Sequence, residues 1–483
     1  MPDYFRNNQI LQTMKNTFRK CYATLLPALL AAVLMYSCAT GPGGGGQQAG
    51  ACYEGLKTYA DGIRVINAHE HQRWCEENAV MQMKLSHLIH AAYLGADVAS
   101  AGGSWMSSGQ LDSISMEEYW EINGEALDRC RNTTYYSHFL AGFQKLYDFP
   151  DPYFTASNVV ALSGQVEERY ADYRTWFDRA FREAGFELMF LDQYWDPFNT
   201  EVDLNYYALA FNINNLVYMA AAKPAEGEEG PEIYRLAAEE GFRMQTLDDY
   251  LVFCDHLLQK NLEGGAVCLK NSMAYGRSID YEKVPAEVAE ELYDRPSSGL
   301  NQAEAKKIQD FIFHWLIGKS IEYQLPIQIH TGYLAGNGNT LDNGHPRKLN
   351  NLFLEYPEAR FVLFHGGYPW TGEYGAFGKM FPNVYLDLVW LPQISRERAV
   401  QALDEMLDLV PYNKFFWGGD CAFIEESAGS LEFGRSVVAE VLDRRIARGL
   451  LDEELAREII RAIFRENAIE VFALEERLGR EFQ

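Results

Sequence analysis

Five short apolar runs in this chain each end on a residue able to bind a metal ion or move a proton. Ile63-Arg-Val-Ile-Asn-Ala leads into His69-Glu70-His71, and Gly264-Gly-Ala-Val-Cys-Leu leads into Lys270. Leu325-Pro-Ile-Gln-Ile leads into His330, Phe361-Val-Leu-Phe into His365-Gly-Gly, and Lys414-Phe-Phe-Trp-Gly-Gly into Asp420. Imidazoles and carboxylates are the ligands that hold catalytic divalent ions. His69 and His71 are two apart, so on a strand both rings point to one face while Glu70 faces away. The glycines after His365 and before Asp420 let backbone approach a ligand closely.

Residues this far apart in sequence converge only if the runs are parallel strands with their C-terminal ends together, as in a (β/α)8 barrel. Eight strands are read near 63–68, 186–192, 206–212, 265–270, 325–330, 361–365, 383–388 and 414–419. Most are apolar and rich in Val, Ile or Phe, as strands buried on both faces are. Helical patterns separate them. One runs from Thr246, an N-cap followed by Asp248 and Asp249, to Leu262; others cover Gln302 to Tyr323 and Arg396 to Leu409. The expected fold is α/β, a TIM barrel with a helical insertion between strands 1 and 2 (72–185) and a C-terminal helical extension. The insertion, with helix periodicity over Ala79–Leu94, Met116–Arg131, Ser137–Leu146 and Glu167–Glu183, is placed at the barrel mouth. Leu431 to Gln483 is expected to be helical and to pack outside the barrel.

The first residues do not read as barrel. Lys15, Arg19 and Lys20 precede an apolar stretch, Cys21 to Met35, followed by Ser37-Cys38 and the glycines 43–46. A basic segment, a short apolar core and a small residue before the cut describe an export signal. The stretch is shorter than the ~20 residues of a spanning helix. Residues 1–37 are therefore read as a signal peptide, with Met14 the more ordinary start. Cys38 resembles a bacterial lipobox cysteine, although Met35 stands where Leu is usual. Residues 38–60 are read as a lipidated Gly-rich tether and 61–483 as the barrel. This implies an exported protein, anchored at the bacterial cell envelope, that meets membrane only through its lipid.

A net charge of −26 argues against nucleic acid as a partner. The cysteines at 52, 75, 130, 254, 268 and 421 show no metal or disulfide-framework spacing, and their pairing stays open. His87, His90, His138, His256, His314 and His345 are assigned to surface or core. Arg277, after strand four, can grip a carboxylate or make a structural salt bridge. Tyr333, Tyr368 and Trp370 can form an aromatic wall or ordinary packing. Asp192 is a candidate orienter of a ligand imidazole, and Trp195 a rim residue.

The order HxH, Lys, His, His, Asp resembles the amidohydrolase superfamily. Leu325-Pro-Ile-Gln-Ile-His-Thr-Gly-Tyr333, His365-Gly-Gly-Tyr-Pro-Trp-Thr-Gly-Glu373 and Asn383-Val-Tyr-Leu-Asp387 are similar to its amidohydrolase-2 branch, which includes decarboxylases of aromatic acids. The chain is most similar to the amidohydrolase domains fused to glutamine synthetase. The resemblance implies a metal-dependent enzyme in which His69, His71, His330 and Asp420 match ligand positions. In single-metal members the residue matching His365 is a catalytic acid/base; in two-metal members it is a ligand, and a carbamylated lysine, here Lys270, bridges the ions. One ion is favoured, with Lys270 binding a substrate carboxylate beside Arg277, Tyr333 and Tyr368. Zn²⁺ is the default for such ligands, with Mn²⁺ or Fe²⁺ open. The expected reaction is hydrolysis of an amide or ester of a small carboxylate-bearing molecule, with Asp420 taking the water's proton and His365 steadying the oxyanion or serving as acid. The alternative is decarboxylation of an aromatic or unsaturated acid. Barrels of this branch often dimerise, so the resemblance admits a homodimer, with the oligomeric state left open.

Overall fold

The computed structural model describes residues 50–72, 82–225 and 227–482. The signal peptide, Cys38 and the tether up to residue 49 lie outside the described residues, as does Cys75. The last part of the stretch read as tether is not tether: Tyr53–Asp61 is a helix with Leu56 and Ala60 buried.

Eight parallel strands follow one another in order around a (β/α)8 barrel: β1 Val65–Glu70, β2 Phe186–Leu191, β3 Tyr207–Asn212, β4 Ala266–Asn271, β5 Ile327–Ile329, β6 Phe361–Leu363, β7 Val384–Asp387 and β8 Phe415–Phe416. Seven begin and end within two residues of their expected bounds, and β8 ends three residues short of its own. β8 has two residues, because Gly418 and Gly419 break the regular pairing. The barrel closes beyond it through hydrogen bonds from Ala68 N to Trp417 O (3.0 Å), Asp420 N to His69 O (2.9 Å) and His71 N to Cys421 O (2.9 Å). Closure and chemistry thus share one seam.

Helices wrap the strands as the periodicity predicts. Leu247–Glu263 is capped by Thr246, whose hydroxyl accepts from Asp249 N at 3.1 Å. Gln302–Glu322 and Arg396–Leu409 also fall where expected. The insertion holds seven helices among the described residues, from Leu85–Ala91 to Tyr173–Ala184. Two expected boundaries shift. The first of these helices stops before Ala92, and Asp172 caps a new helix where one continuous helix over 167–183 was expected.

The long helix Ile424–Ala447 fastens this insertion to the barrel. Glu425 is fully buried and accepts from Tyr147 Oη (2.7 Å), Tyr170 Oη (2.8 Å) and Trp176 Nε1 (2.9 Å). Gly142 and Gly429 permit the approach: a Cβ at Gly142 would fall 1.9 Å from Glu425 O, and one at Gly429 the same distance from His138 O. The end of the chain does not all pack outside the barrel. Phe472 meets Phe190 and Phe416 (ring centroids 4.8 and 5.3 Å), so it closes the barrel's interior from below.

Candidate metal centre

At the β1/β8 seam three side chains aim their donor atoms at one point. His69 Nε2, His71 Nε2 and Asp420 Oδ1 stand 3.3, 3.3 and 3.2 Å from one another. Ligands about 2.0–2.1 Å from one tetrahedral ion stand about 3.3–3.4 Å apart, so this spacing fits a divalent cation. A β-bulge between Asn67 and Glu70 re-aims the end of β1. Asp420 has φ +60°, a left-handed backbone that a non-glycine residue holds only where its surroundings enforce it. Gly419 makes the seam possible, since a Cβ there would fall 2.2 Å from Glu70 Oε1.

The surroundings prepare these donors. His71 Nδ1 faces the Asp192 carbonyl at 2.9 Å, which turns Nε2 to the site; burial would lower this imidazole, but Asp420 and Asp192 hold it above its ordinary value. It is therefore the backbone oxygen of Asp192 that orients the imidazole, while Asn212 holds the Asp192 carboxylate at 3.0 Å. His69 Nδ1 is buried with no partner among the described residues. Burial, Lys270 and the neighbouring imidazoles push His69 well below its ordinary value, so it is neutral, as a ligand must be. Burial alone would raise Asp420, but the adjacent imidazoles hold it well below the usual carboxylate range. Glu70 faces away and is fully buried. It accepts from Cys421 N at 2.7 Å, and burial pushes it up to about 8.

Across the mouth, His330, expected as a fourth ligand, stands outside the three-donor group and pairs with His365 instead. His365 Nδ1 faces the Val389 carbonyl at 3.1 Å, and His330 Nε2 faces the Tyr333 carbonyl at 2.8 Å. Both outer nitrogens must carry protons to satisfy those oxygens. The inner nitrogens, His365 Nε2 and His330 Nδ1, lie 3.0 Å apart. Two lone pairs would face each other there unless a proton or a cation lies between. His365 also has a left-handed backbone, φ +62°, and burial lowers it to about 4.

A cavity of about 730 Å³ opens over the seam. His71, Lys270, His330 and Asp420 line it, whereas His69 and His365 are buried behind its wall. Lys270 is buried, with Nζ 3.0 Å from His69 Nε2, 3.9 Å from Asp192 Oδ2 and 4.2 Å from the Phe364 ring centre.

Three expected substrate contacts are elsewhere. Arg277 is bound to Asp310 Oδ1 and Gln309 Oε1 on the helix Gln302–Glu322, so it is the structural salt bridge rather than the carboxylate grip. Tyr333 packs on Trp390 (5.5 Å), with Tyr368 edge-on to it (6.2 Å), and neither lines the cavity. The aromatic wall comes instead from Tyr93, Trp105, Tyr194 and Tyr275. His90, assigned to surface or core, also lines the cavity. The other five secondary histidines are structural, His256 for example pairing with Glu240 at 2.6 Å. Tyr93, Trp105 and His90 belong to the insertion, where no strand end marks a side chain as facing the site; Tyr194, two residues past Asp192, was within reach of the strand-end rule.

The family described as Amidohydrolase (Amidohydro_2) matches residues 309–474. The protein fluG of Emericella nidulans is 31% identical over 174 residues, 33% of this chain; the match spans 20% of that relative's length. Among solved structures, a uronate isomerase from Thermotoga maritima superposes with a TM-score of 0.71 at 16% identity, covering 87% of this chain and 97% of that one. A glucuronate isomerase from Caulobacter crescentus gives 0.71 at 17% identity, covering 89% and 95%. A uronate isomerase from Bacillus halodurans gives 0.61 at 15%, covering 90% and 98%. At these identities the likeness shows the barrel fold.

Proposed function

We propose that this chain, which carries amidohydrolase-family sequence over 309–474 on a TIM barrel, is a metal-dependent hydrolase of the amidohydrolase type that cleaves an amide or ester bond of a small carboxylate-bearing substrate. The observation that carries this reading is the spacing of His69 Nε2, His71 Nε2 and Asp420 Oδ1 on the wall of the cavity. These three would hold one divalent cation, Zn²⁺ by ligand type, which would supply Lewis acidity to a water or a substrate oxygen.

The chain's own residues do the rest. Asp420 accepts the water's proton at its carboxylate. The inner nitrogens of His330 and His365 stand at proton-sharing distance, and burial lowers both rings, so a proton taken up between them is readily given up. His330 lines the cavity and passes it to the leaving group, while His365 reaches the substrate through His330. Lys270 is the one ammonium or guanidinium group lining the cavity among the described residues, which suits it to a substrate carboxylate.

Within the superfamily we place the chain beside the domains fused to glutamine synthetase, and read it as exported through residues 1–37 and lipidated at Cys38. A peptide of the mature protein containing residues upstream of Cys38 would sink that export reading. The enzymatic test is a panel of γ-glutamyl amides, lactones and esters, with carbon dioxide release from aromatic carboxylic acids measured alongside. Metal-dependent release of amine or alcohol supports the hydrolase. Carbon dioxide as the sole product overturns it in favour of the decarboxylase.

A further inference from the structure

We propose that Tyr93, supplied by the helical insertion, is a positioning residue of the metal centre: its hydroxyl caps one oxygen of Asp420 and so fixes the other toward the ion. This rests on the metal-site reading above. Tyr93 Oη lies 2.6 Å from Asp420 Oδ2 and 2.5 Å from Asp420 O. The opposite carboxylate oxygen, Oδ1, is the one facing His69 and His71. A carboxylate free to rotate presents either oxygen, or both, to a cation. One held through Oδ2 presents Oδ1 alone, and the carboxylate is set before the ion arrives.

The phenol itself cannot swing away easily. Its ring stacks on Trp390 (4.5 Å, 28°) and on Tyr135 (5.3 Å, 20°), and its backbone N donates to Glu426 Oε1 at 3.0 Å. Trp390 packs edge-on to His365 at 5.0 Å, so the same stack touches both halves of the mouth. Glu426 lies in the first turn of the long helix that holds the insertion, and it also faces His138 Nε2 at 3.4 Å. The insertion therefore does more than cover the cavity. It contributes the hydroxyl that orders the β8 carboxylate.

The test is Tyr93→Phe, which keeps the stacked ring and removes only the hydroxyl. Zn²⁺ affinity of the stripped protein is measured by competition with a chelating dye, with circular dichroism and the melting temperature as folding controls. Tyr135→Phe is the matched control, because the Tyr135 hydroxyl has no partner among the described residues. The expected result is Zn²⁺ binding about 10–100-fold weaker in Tyr93→Phe, the usual cost of losing an outer-shell partner of a ligand. Tyr135→Phe should bind as the wild type does. Equal affinity in wild type and Tyr93→Phe overturns this assignment and leaves the metal site standing. A wild-type protein that takes up no Zn²⁺ overturns the metal site and this assignment with it.

Discussion

The two sides of the barrel mouth use the same residue types to different ends. At the β1/β8 seam, His69, His71 and Asp420 turn two ring nitrogens and a carboxylate oxygen toward one point, 3.2–3.3 Å apart. Across the mouth, His330 and His365 spend their outer nitrogens on backbone carbonyls and their inner ones on each other. The difference comes from second partners. A carbonyl on Nδ1 of His71 frees Nε2 for a cation, whereas the carbonyl beside His330 occupies its Nε2 and leaves Nδ1 to the neighbouring ring. The seam's spacing fits an ion, whereas the facing pair sets two ring nitrogens at proton-sharing distance.

The strongest way to break this contrast is to exchange the two halves by mutation. His71→Ala should lose metal and activity together, with kcat/KM down by more than the ~100-fold upper cost of an outer-shell change. His365→Ala should keep its metal by elemental analysis and lose about 10²–10⁴-fold in kcat, the range of a general acid. If both variants lose metal equally, the facing pair is a second metal site and the contrast fails.

A smaller effect sharpens the boundary of the site. Arg277→Ala should leave KM within about twofold and lower stability by about 1.5–3 kcal/mol, the typical worth of hydrogen bonds to a charged group. Its partner Asp310 is fully buried and keeps Lys306 at 2.6 Å, which tempers the loss. A large rise in KM without destabilisation would return Arg277 to the substrate.

A further effect, on the pH dependence of stability, concerns Glu70, behind the seam. Its folded value is raised to about 8, above the ordinary value of 4.5, by burial. Between those values the folded protein binds more protons than the unfolded chain, so this group's contribution to stability falls as pH rises. Thermal melts of the metal-free protein from pH 5 to 8 should show a steeper decline for wild type than for Glu70→Gln. Parallel curves would mean that Glu70 stays ionised, held by its Asn67 and Cys421 donors.

The barrel was legible because each of its strands is a short apolar run and the reactive residues stand at their ends. His69, His71, Lys270, His330 and Asp420 were found by that rule, and the structure brings them to one cavity or its wall. What escaped the rule depends on partners that a linear reading does not contain. Arg277 was read with two outcomes, and the choice was made by Asp310, 33 residues away on a helix. Tyr333 follows a strand end yet turns its ring onto Trp390. Tyr93 lies in an insertion with no strand register to predict its direction, 327 residues from the carboxylate it caps.

The most direct test of the central claim is a crystal of the Zn²⁺-supplemented protein measured at the zinc absorption edge. The account predicts a single anomalous peak bonded to His69 Nε2, His71 Nε2 and Asp420 Oδ1. A peak held elsewhere, or a pair of peaks bridged by a carbamate on Lys270, would contradict it.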